Sequence, residues 1–333
     1  MYESFFGLRE RPFDLTPNPR FIYLSGCHLE ALSVVHYGIV GRKGITLVVG
    51  DAGTGKTTVI RTALEAIAQP TARCVYLSNP TLSRAEFYEF LAASFGLTAE
   101  AGGSKARFLL EFERLLTERS KAKDLTALVI DEAQSLSIEL LEEIRLLANL
   151  ETLTDKLLPV VMAGQPELAE LLERPELRQL KQRVALRADL QPLGVRQVAA
   201  YIAGRIRKAG GDPLSVFTKE AVVLIHKVSG GIPRTISVVS DNAMLAGFAA
   251  AVKPIGADLV AEVSRDFRLR GGQADEASRH DAGGRNRDPQ HDAPRRLAPK
   301  RVDGGSSGSR TGCGSPRPRS RNGPSGSTRS GTS

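Results

Sequence analysis

The chain has 333 residues and a formal net charge of +8 at pH 7. This length is sufficient for two domains. Its three cysteines, Cys27, Cys74 and Cys313, are odd in number and widely spaced, which argues against a disulfide framework or a zinc site and indicates a reducing compartment.

The amino terminus has no apolar core of a signal peptide, because charged residues and prolines interrupt residues 1–20. The longest uncharged apolar stretches, such as residues 244–252, are far shorter than the roughly 20 residues that a membrane helix needs. We therefore expect a cytoplasmic protein with no transmembrane segment. Peripheral association with the inner membrane is left open.

The basic charge is concentrated in the carboxyl-terminal segment. Residues 271–333 contain 12 Lys or Arg and 6 Asp or Glu, so they contribute +6 of the total. This segment is rich in Gly, Ser, Pro and Arg and poor in large apolar residues, which predicts a disordered tail. It is either an inert extension or a non-specific anchor for anionic partners. DNA binding is possible, but the folded part of the sequence does not indicate it.

Strand and helix patterns alternate along the first 191 residues, after an irregular arm at residues 1–24 and a helix at 29–39. We predict strands at 45–49, 74–77, 127–130, 159–163 and 184–189, helices at 56–68, 83–95, 105–119 and 137–149, and a further helical region at 167–182. This alternation is typical of an α/β protein with a parallel sheet. After Pro192 only helices are predicted, at 194–209, 218–228, 233–250 and 256–268. The predicted domains are therefore an α/β domain (1–191), a small all-helical domain (192–270) and the tail (271–333).

A glycine-rich segment lies between the first predicted strand and the next helix. It reads Gly50-Asp51-Ala52-Gly53-Thr54-Gly55-Lys56-Thr57-Thr58. This is the pattern of a phosphate-binding P-loop, in which backbone N–H groups surround a phosphate. In that pattern Lys56 reaches the β- and γ-phosphates and the Thr57 hydroxyl holds Mg²⁺.

Two acidic residues, Asp131 and Glu132, follow the apolar strand at 127–130. Ligands of open α/β folds bind at this end of the strands. We interpret Asp131 as a partner of Mg²⁺, through water, and Glu132 as the base that polarises the attacking water. The alternative is a buried strand that merely ends in two solvated acids.

Residues 1–270 resemble the AAA+ ATPases of the ExeA/GspA type, the general secretion pathway protein A family. The resemblance implies a P-loop NTPase (AAA+) three-layer sandwich with a helical lid, ATP and Mg²⁺ as cofactors, and a homo-oligomer. The matching segments are Met1-Tyr2-Glu3, Phe6-Gly7-Leu8, Arg11-Pro12-Phe13, Leu15-Thr16-Pro17-Asn18-Pro19-Arg20-Phe21, His28-Leu29-Glu30-Ala31-Leu32, Tyr37-Gly38-Ile39, Asp131-Glu132-Ala133-Gln134, Leu140-Leu141-Glu142-Glu143-Ile144-Arg145, Asn149-Leu150-Glu151 and Gly164-Gln165-Pro166-Glu167-Leu168.

The resemblance also implies roles for three further residues. Gln165 corresponds to the sensor-1 residue that contacts the γ-phosphate or the attacking water. Arg183 corresponds to an arginine finger that acts on a neighbouring subunit, with Arg178 as the competing candidate and a simple helix-end charge as the structural alternative. Arg234, in Gly230-Gly231-Ile232-Pro233-Arg234, corresponds to sensor 2, although Pro after Gly is also an ordinary helix start.

Residues before the P-loop line the adenine pocket in related ATPases, which makes Pro12, Phe13 or Tyr37-Gly38 candidates for that contact. Simple packing of the arm explains each of them at least as well. We interpret His28 as a helix-start or packing residue.

The resemblance implies an accessory ATPase of a secretion or envelope/exopolysaccharide export system, with a protein partner in that system. Envelope-anchored members continue into a membrane helix and a peptidoglycan-binding region, whereas this sequence ends in the charged tail, so neither property is carried over. One alternative is a DNA-associated regulatory ATPase of the transposition type. A second is a nucleotide-gated scaffold with little turnover.

Overall fold

The computed structural model describes residues 1–14, 19–68, 70–78, 80–152 and 155–265. The predicted disordered tail at 271–333 lies outside these residues, as does the end of the predicted helix at 256–268.

Five parallel strands form one sheet in the order β2-β3-β4-β1-β5. In chain order they are β1 (Ile45–Gly50), β2 (Arg73–Leu77), β3 (Thr126–Ile130), β4 (Val160–Gly164) and β5 (Val184–Leu190). Strand β1 lies between β4 and β5, and its Val49 lies in register with Gly164 of β4 and Asp189 of β5. Strands β1, β3 and β4 are buried along their whole length, which explains their unbroken apolar sequences.

Helices connect the strands, as parallel pairing requires. The first eight are α1 (Gly26–Val40), α2 (Lys56–Ile67), α3 (Arg84–Phe95), α4 (Ala99–Gly103), α5 (Lys105–Lys121), α6 (Ile138–Leu147), α7 (Pro166–Leu171) and α8 (Arg178–Lys181). Because side chains of a strand alternate between faces, Val48 packs with α1 and α2 on one face, and Leu47 packs with α3, α5 and α6 on the other. The predicted three-layer α/β sandwich is confirmed.

The helical region predicted at 167–182 consists of three short helical segments. Helix α7 ends at Leu171, a 3-10 turn follows at Pro175–Leu177, and α8 begins at Arg178. Pro175 lacks a backbone N–H and forces the preceding residue, Arg174, into an extended conformation with ψ at 142°. The chain therefore breaks at the proline.

After β5 the described chain is helical. It forms α9 (Val195–Lys208), α10 (Pro213–Val216), α11 (Lys219–Ser229), α12 (Pro233–Ala249) and a helix at 257–265, α13. Within the described ranges, no helix is both long and apolar enough to cross a membrane.

The amino-terminal arm packs on these helices rather than on the sheet. Tyr2, Phe6 and Phe13 are buried in one apolar cluster with side chains of α9, α11 and α12. Arg205 of α9 donates through Nε to the Pro12 carbonyl oxygen at 2.5 Å. The domain division expected from the sequence placed the arm with the α/β part, whereas its apolar contacts are with the helical part.

Candidate functional site

The P-loop connects the carboxyl end of β1 to the amino end of α2. Gly53 and Gly55 have φ angles of +83° and +107°, a left-handed region that side chains disfavour. Helix α2 begins at Lys56, and the first N–H groups of a helix have no partner within it. These N–H groups and the positive end of the helix dipole form an anion site.

The Lys56 side chain lies inside this loop and is only 4% exposed. Its Nζ donates to the carbonyl oxygens of Gly50 at 2.7 Å and Asp51 at 3.1 Å. Burial lowers the pKa of the Lys56 ammonium, while the carboxylates of Glu132 and Asp131 act in the opposite direction. An anion beside Nζ would favour the charged form further.

Thr57 and Asp131 are in direct contact. The Thr57 hydroxyl donates to Asp131 Oδ2 at 2.6 Å, and Tyr76, near the end of β2, donates to the same oxygen at 2.7 Å. The backbone N–H of Glu132 donates to Asp131 Oδ1 at 3.0 Å. Asp131 is thus a buried carboxylate held by three donors, and Thr57 keeps its oxygen lone pairs for a cation.

Glu132 lies between the ends of β3 and β4 and is held by two amides. Gln134 Nε2 donates to Glu132 Oε2 at 2.6 Å, and Gln165 Nε2 lies 3.4 Å from the same oxygen. Gln134 Oε1 accepts from the Gln165 backbone N–H at 3.1 Å. The structure therefore brings Glu132 and Gln165 together, with Gln134 between them.

The start of α12 lies against the P-loop. The Arg234 backbone N–H donates to the Gly53 carbonyl oxygen at 3.3 Å, and a Cβ on Gly53 would come within 2.8 Å of Arg234 Cβ. A Cβ on Gly231 would lie 2.2 Å from the Leu193 carbonyl oxygen. The two glycines allow the close backbone approach that places the exposed Arg234 side chain beside the loop.

Arg183 and Arg178 lie away from this P-loop. The Arg183 carbonyl oxygen accepts from the N–H of Ile45 at 3.4 Å, and Ile45 is the first residue of β1, whereas the P-loop follows its last. Both arginine side chains are exposed. Arg183 therefore lies at the amino ends of the strands, the opposite end of the sheet from its own P-loop.

Packing accounts for the adenine-pocket candidates. Phe13 is 1% exposed and lies edge-on to Phe217, with ring centroids 6.4 Å apart. A Cβ on Gly38 would lie 2.1 Å from Thr46 Oγ1, so glycine at this position lets α1 approach β1. Tyr37 is exposed near the end of α1, at the end of the sheet where β1 begins.

The residues present fit a nucleotide with its metal ion. The glycine loop offers backbone donors, Lys56 a cation, and Thr57 with Asp131 oxygen ligands of the kind that Mg²⁺ prefers. Among the described residues no group of three or more His, Cys, Asp or Glu side chains could hold a metal by itself. A magnesium ion bound by Thr57 and Asp131 would share its coordination with phosphate oxygens, as in other nucleotide sites.

Sequence reasoning missed two residues of this site. Gln134 was noted only as part of a matching segment, and Tyr76 only as part of a strand. The sequence signal for Tyr76 is a side chain with a polar hydroxyl near the end of an otherwise apolar strand. That signal points to the site only once β2 is known to lie beside β3.

Comparisons with known proteins agree with this geometry. A family profile described as "AAA domain" matches residues 40–172. General secretion pathway protein A of Aeromonas hydrophila is 42% identical over 250 residues, which are 75% of this chain and 45% of that protein. The chain spans about half the length of this curated relative.

Solved structures show the same fold. The Aeropyrum pernix ORC2 protein, in ADPNP-ADP complexes, has a TM-score of 0.56 at 16% identity, covering 77% of this chain and 71% of that one. Its ADP form has a TM-score of 0.55 at the same identity, covering 77% and 72%. The family match, the sequence relative and the fold show that this chain belongs to the AAA+ P-loop ATPases of the general secretion pathway protein A (ExeA/GspA) type.

Proposed function

We propose that this chain binds Mg·ATP at Gly50–Thr58 and hydrolyses it to ADP and phosphate. One observation carries the proposal: the Thr57 hydroxyl contacts Asp131 at 2.6 Å, directly beside Glu132. This contact joins a phosphate-binding loop to a metal carboxylate and a base, the combination that hydrolysis requires.

Each residue has a defined part in the reaction. The N–H groups of residues 53–58 and Lys56 bind the phosphates, while Thr57 and Asp131 hold the metal ion. When bound, Mg²⁺ neutralises charge on the phosphate oxygens. Glu132 accepts the proton of the attacking water, and Gln165 orients the water or the γ-phosphate. The side chain of Arg234 contacts the phosphates from the helical part.

We further propose a homo-oligomer in which Arg183 of one subunit reaches the nucleotide of the next. The support is that Arg183 is exposed and lies where the strands begin, at the opposite end of the sheet from its own P-loop. A planar guanidinium with a permanent charge suits the charge that develops on the transferred phosphoryl group.

For the biological role we propose an accessory ATPase of a secretion or envelope-polymer export system, acting in the cytoplasm where ATP is available. The support is the 42% identity to general secretion pathway protein A. Because the chain spans about half of that relative, its partner in such a system is part of the proposal.

Nucleotide titration and phosphate release test the activity. With Mg²⁺ present, the protein should bind ATP and release phosphate. Lys56→Ala should reduce phosphate release by about a hundredfold, because the charge that develops in the transition state loses the Lys56 cation. Lys43→Ala, an exposed lysine before β1, is the control and should leave turnover unchanged. No binding of ATP by the unmodified protein would contradict the proposal.

Phosphate release measured with and without duplex DNA tests the proposed role in secretion or export. We expect phosphate release to be unaffected by DNA in a variant that ends at residue 270. Strong stimulation that weakens with salt in this variant would instead indicate a DNA-associated ATPase.

A further inference from the structure

His28 is a buried histidine to which the proposed reaction gives no part. It lies in the first turn of α1 and is 3% exposed. Its Nε2 lies 2.8 Å from the carbonyl oxygen of Thr54 in the P-loop. At the other side of the ring, Nδ1 lies 2.5 Å from Ser25 Oγ and 3.4 Å from the Ser25 backbone nitrogen.

These neighbours select one tautomer of the ring. The Thr54 carbonyl can only accept a hydrogen bond, so Nε2 must carry a proton and donate. The Ser25 backbone N–H can only donate, so Nδ1 is the acceptor. His28 is therefore the neutral Nε2–H form, and its ring is held between the start of α1 and the P-loop.

The hydrogen bond from His28 to the Thr54 carbonyl oxygen fixes the orientation of the Thr54–Gly55 peptide group. In a planar trans peptide the carbonyl oxygen of one residue and the N–H of the following residue point in opposite directions. Because the Thr54 oxygen points to His28, the Gly55 N–H points away from the ring. In a P-loop this N–H is one of the donors to the phosphate.

Gly55 also leaves the space that the ring needs. A Cβ on Gly55 would lie 3.0 Å from His28 Nε2, and the glycine has a φ of +107°. The ring is therefore packed against the loop at the residue whose N–H it orients.

We propose that His28 is a positioning residue that orients the Thr54–Gly55 peptide and so prepares the P-loop for phosphate. Holding a loop in its bound conformation reduces the ordering cost of binding. The inference rests on the proposed binding of nucleotide at this loop.

Substitutions at His28 can separate the hydrogen bond from the packing. The side-chain amide nitrogen of glutamine reaches about as far as Nε2, whereas that of asparagine reaches only about as far as Nδ1. His28→Gln thus keeps the donor to Thr54 and His28→Asn loses it. His28→Met has the length of glutamine without a donor. His36→Asn, on the exposed side of α1, is the matched control.

The dissociation constant for a fluorescent ATP analogue, measured by titration on the full chain, is the readout. We expect His28→Asn and His28→Met to weaken binding by about five- to tenfold, with His28→Gln and His36→Asn close to the unmodified protein. A melting temperature recorded for each variant identifies those that fold, and His28→Met replaces His28→Asn where the latter does not.

Two results would overturn the inference: equal affinity in the folded variant that lacks the donor, or the same loss in His28→Gln as in that variant. Failure of the unmodified protein to bind the analogue would contradict the proposed function itself, which separates the two outcomes.

Discussion

Glu132 combines an unusual backbone with a restrained side chain. Its φ is +52°, a left-handed conformation that is uncommon for a non-glycine residue and costs it free energy. Its carboxylate Oε2 accepts from Gln134 and faces Gln165. Since Oε2 is engaged, Oε1 is the oxygen left to receive a proton from water.

Gln134 should therefore affect turnover more than binding. In Gln134→Met the side-chain volume stays similar, but Glu132 loses a donor and the link to the Gln165 backbone. We expect kcat to fall by about tenfold with little change in KM, because the base is less well placed in the transition state. Gln179→Met, on the exposed surface of α8, is the control. An unchanged or higher kcat in Gln134→Met would contradict this account.

Among individual residues, the sequence predicted those that belong to motifs. It assigned Thr57 and Asp131 to one metal site, and their side chains are in contact; their roles as metal ligands stay predictions. It could not predict the donation from Tyr76 to Asp131, because the motif does not state which strand lies beside β3. Spatial neighbours that come from strand order have no local signal.

Among the elements, α3, α5 and α6 are joined by a buried carboxylate. Glu143 of α6 is 3% exposed. It accepts from Lys105 of α5 at 2.7 and 2.8 Å and from Tyr88 of α3, and it pairs with Arg84 of α3. Burial acts to raise the pKa of Glu143, but these hydrogen bonds and the Lys105 and Arg84 charges outweigh it, so the pKa lies below 4.5.

Removing one partner should destabilise this side of the sandwich. We expect Lys105→Met to lower the free energy of unfolding at pH 7 by about 1–3 kcal/mol, since it leaves Glu143 buried with fewer donors. A carboxyl group whose pKa is lower in the folded than in the unfolded protein stabilises the fold at pH values above the unfolded pKa of 4.5. This stabilisation is lost as the pH falls through the pKa of the folded protein. The difference between the two proteins should therefore shrink below pH 4.5.

Urea unfolding at several pH values measures this difference. Lys121→Met, an exposed lysine at the end of the same helix, is the control and should change stability by less than about 0.5 kcal/mol. A difference for Lys105→Met that persists unchanged well below pH 4.5 would exclude the ion pair as its cause.

The strands and most helices were predictable because apolar runs and glycine turns mark them directly. The helical region at 167–182 was predicted without its internal division, which Pro175 produces. The packing of the arm on the helical part was not predictable, because apolar anchors such as Phe13 show that a segment is buried but not against what.

For the whole molecule, the amino and carboxyl ends of the strands have different functions in the proposed assembly. The P-loop, Asp131 and Glu132 lie at the carboxyl ends of the strands, and Arg183 lies at the start of β5. In the proposed assembly, each subunit would therefore bind nucleotide at a site that its own Arg183 does not reach. Shared sites of this kind need a head-to-tail contact between subunits.

Mixing two inactive variants tests the shared site. Arg183→Ala keeps an intact P-loop, and Lys56→Ala keeps the arginine. In a one-to-one mixture we expect about a quarter of the contacts to combine the intact halves, with a corresponding recovery of phosphate release. Affinity tags on the two variants show whether mixed assemblies form. Mixed assemblies without any recovery would rule out Arg183 as the residue that acts across the contact.

In the proposed reaction, Glu132 activates water for hydrolysis of ATP bound at the P-loop. Glu132→Gln preserves the size and shape of the side chain and removes its capacity to accept a proton. Measured on one preparation, this variant should bind Mg·ATP as tightly as the unmodified protein and release phosphate at least about a hundredfold more slowly. Equal rates of phosphate release by the two proteins would contradict the claim.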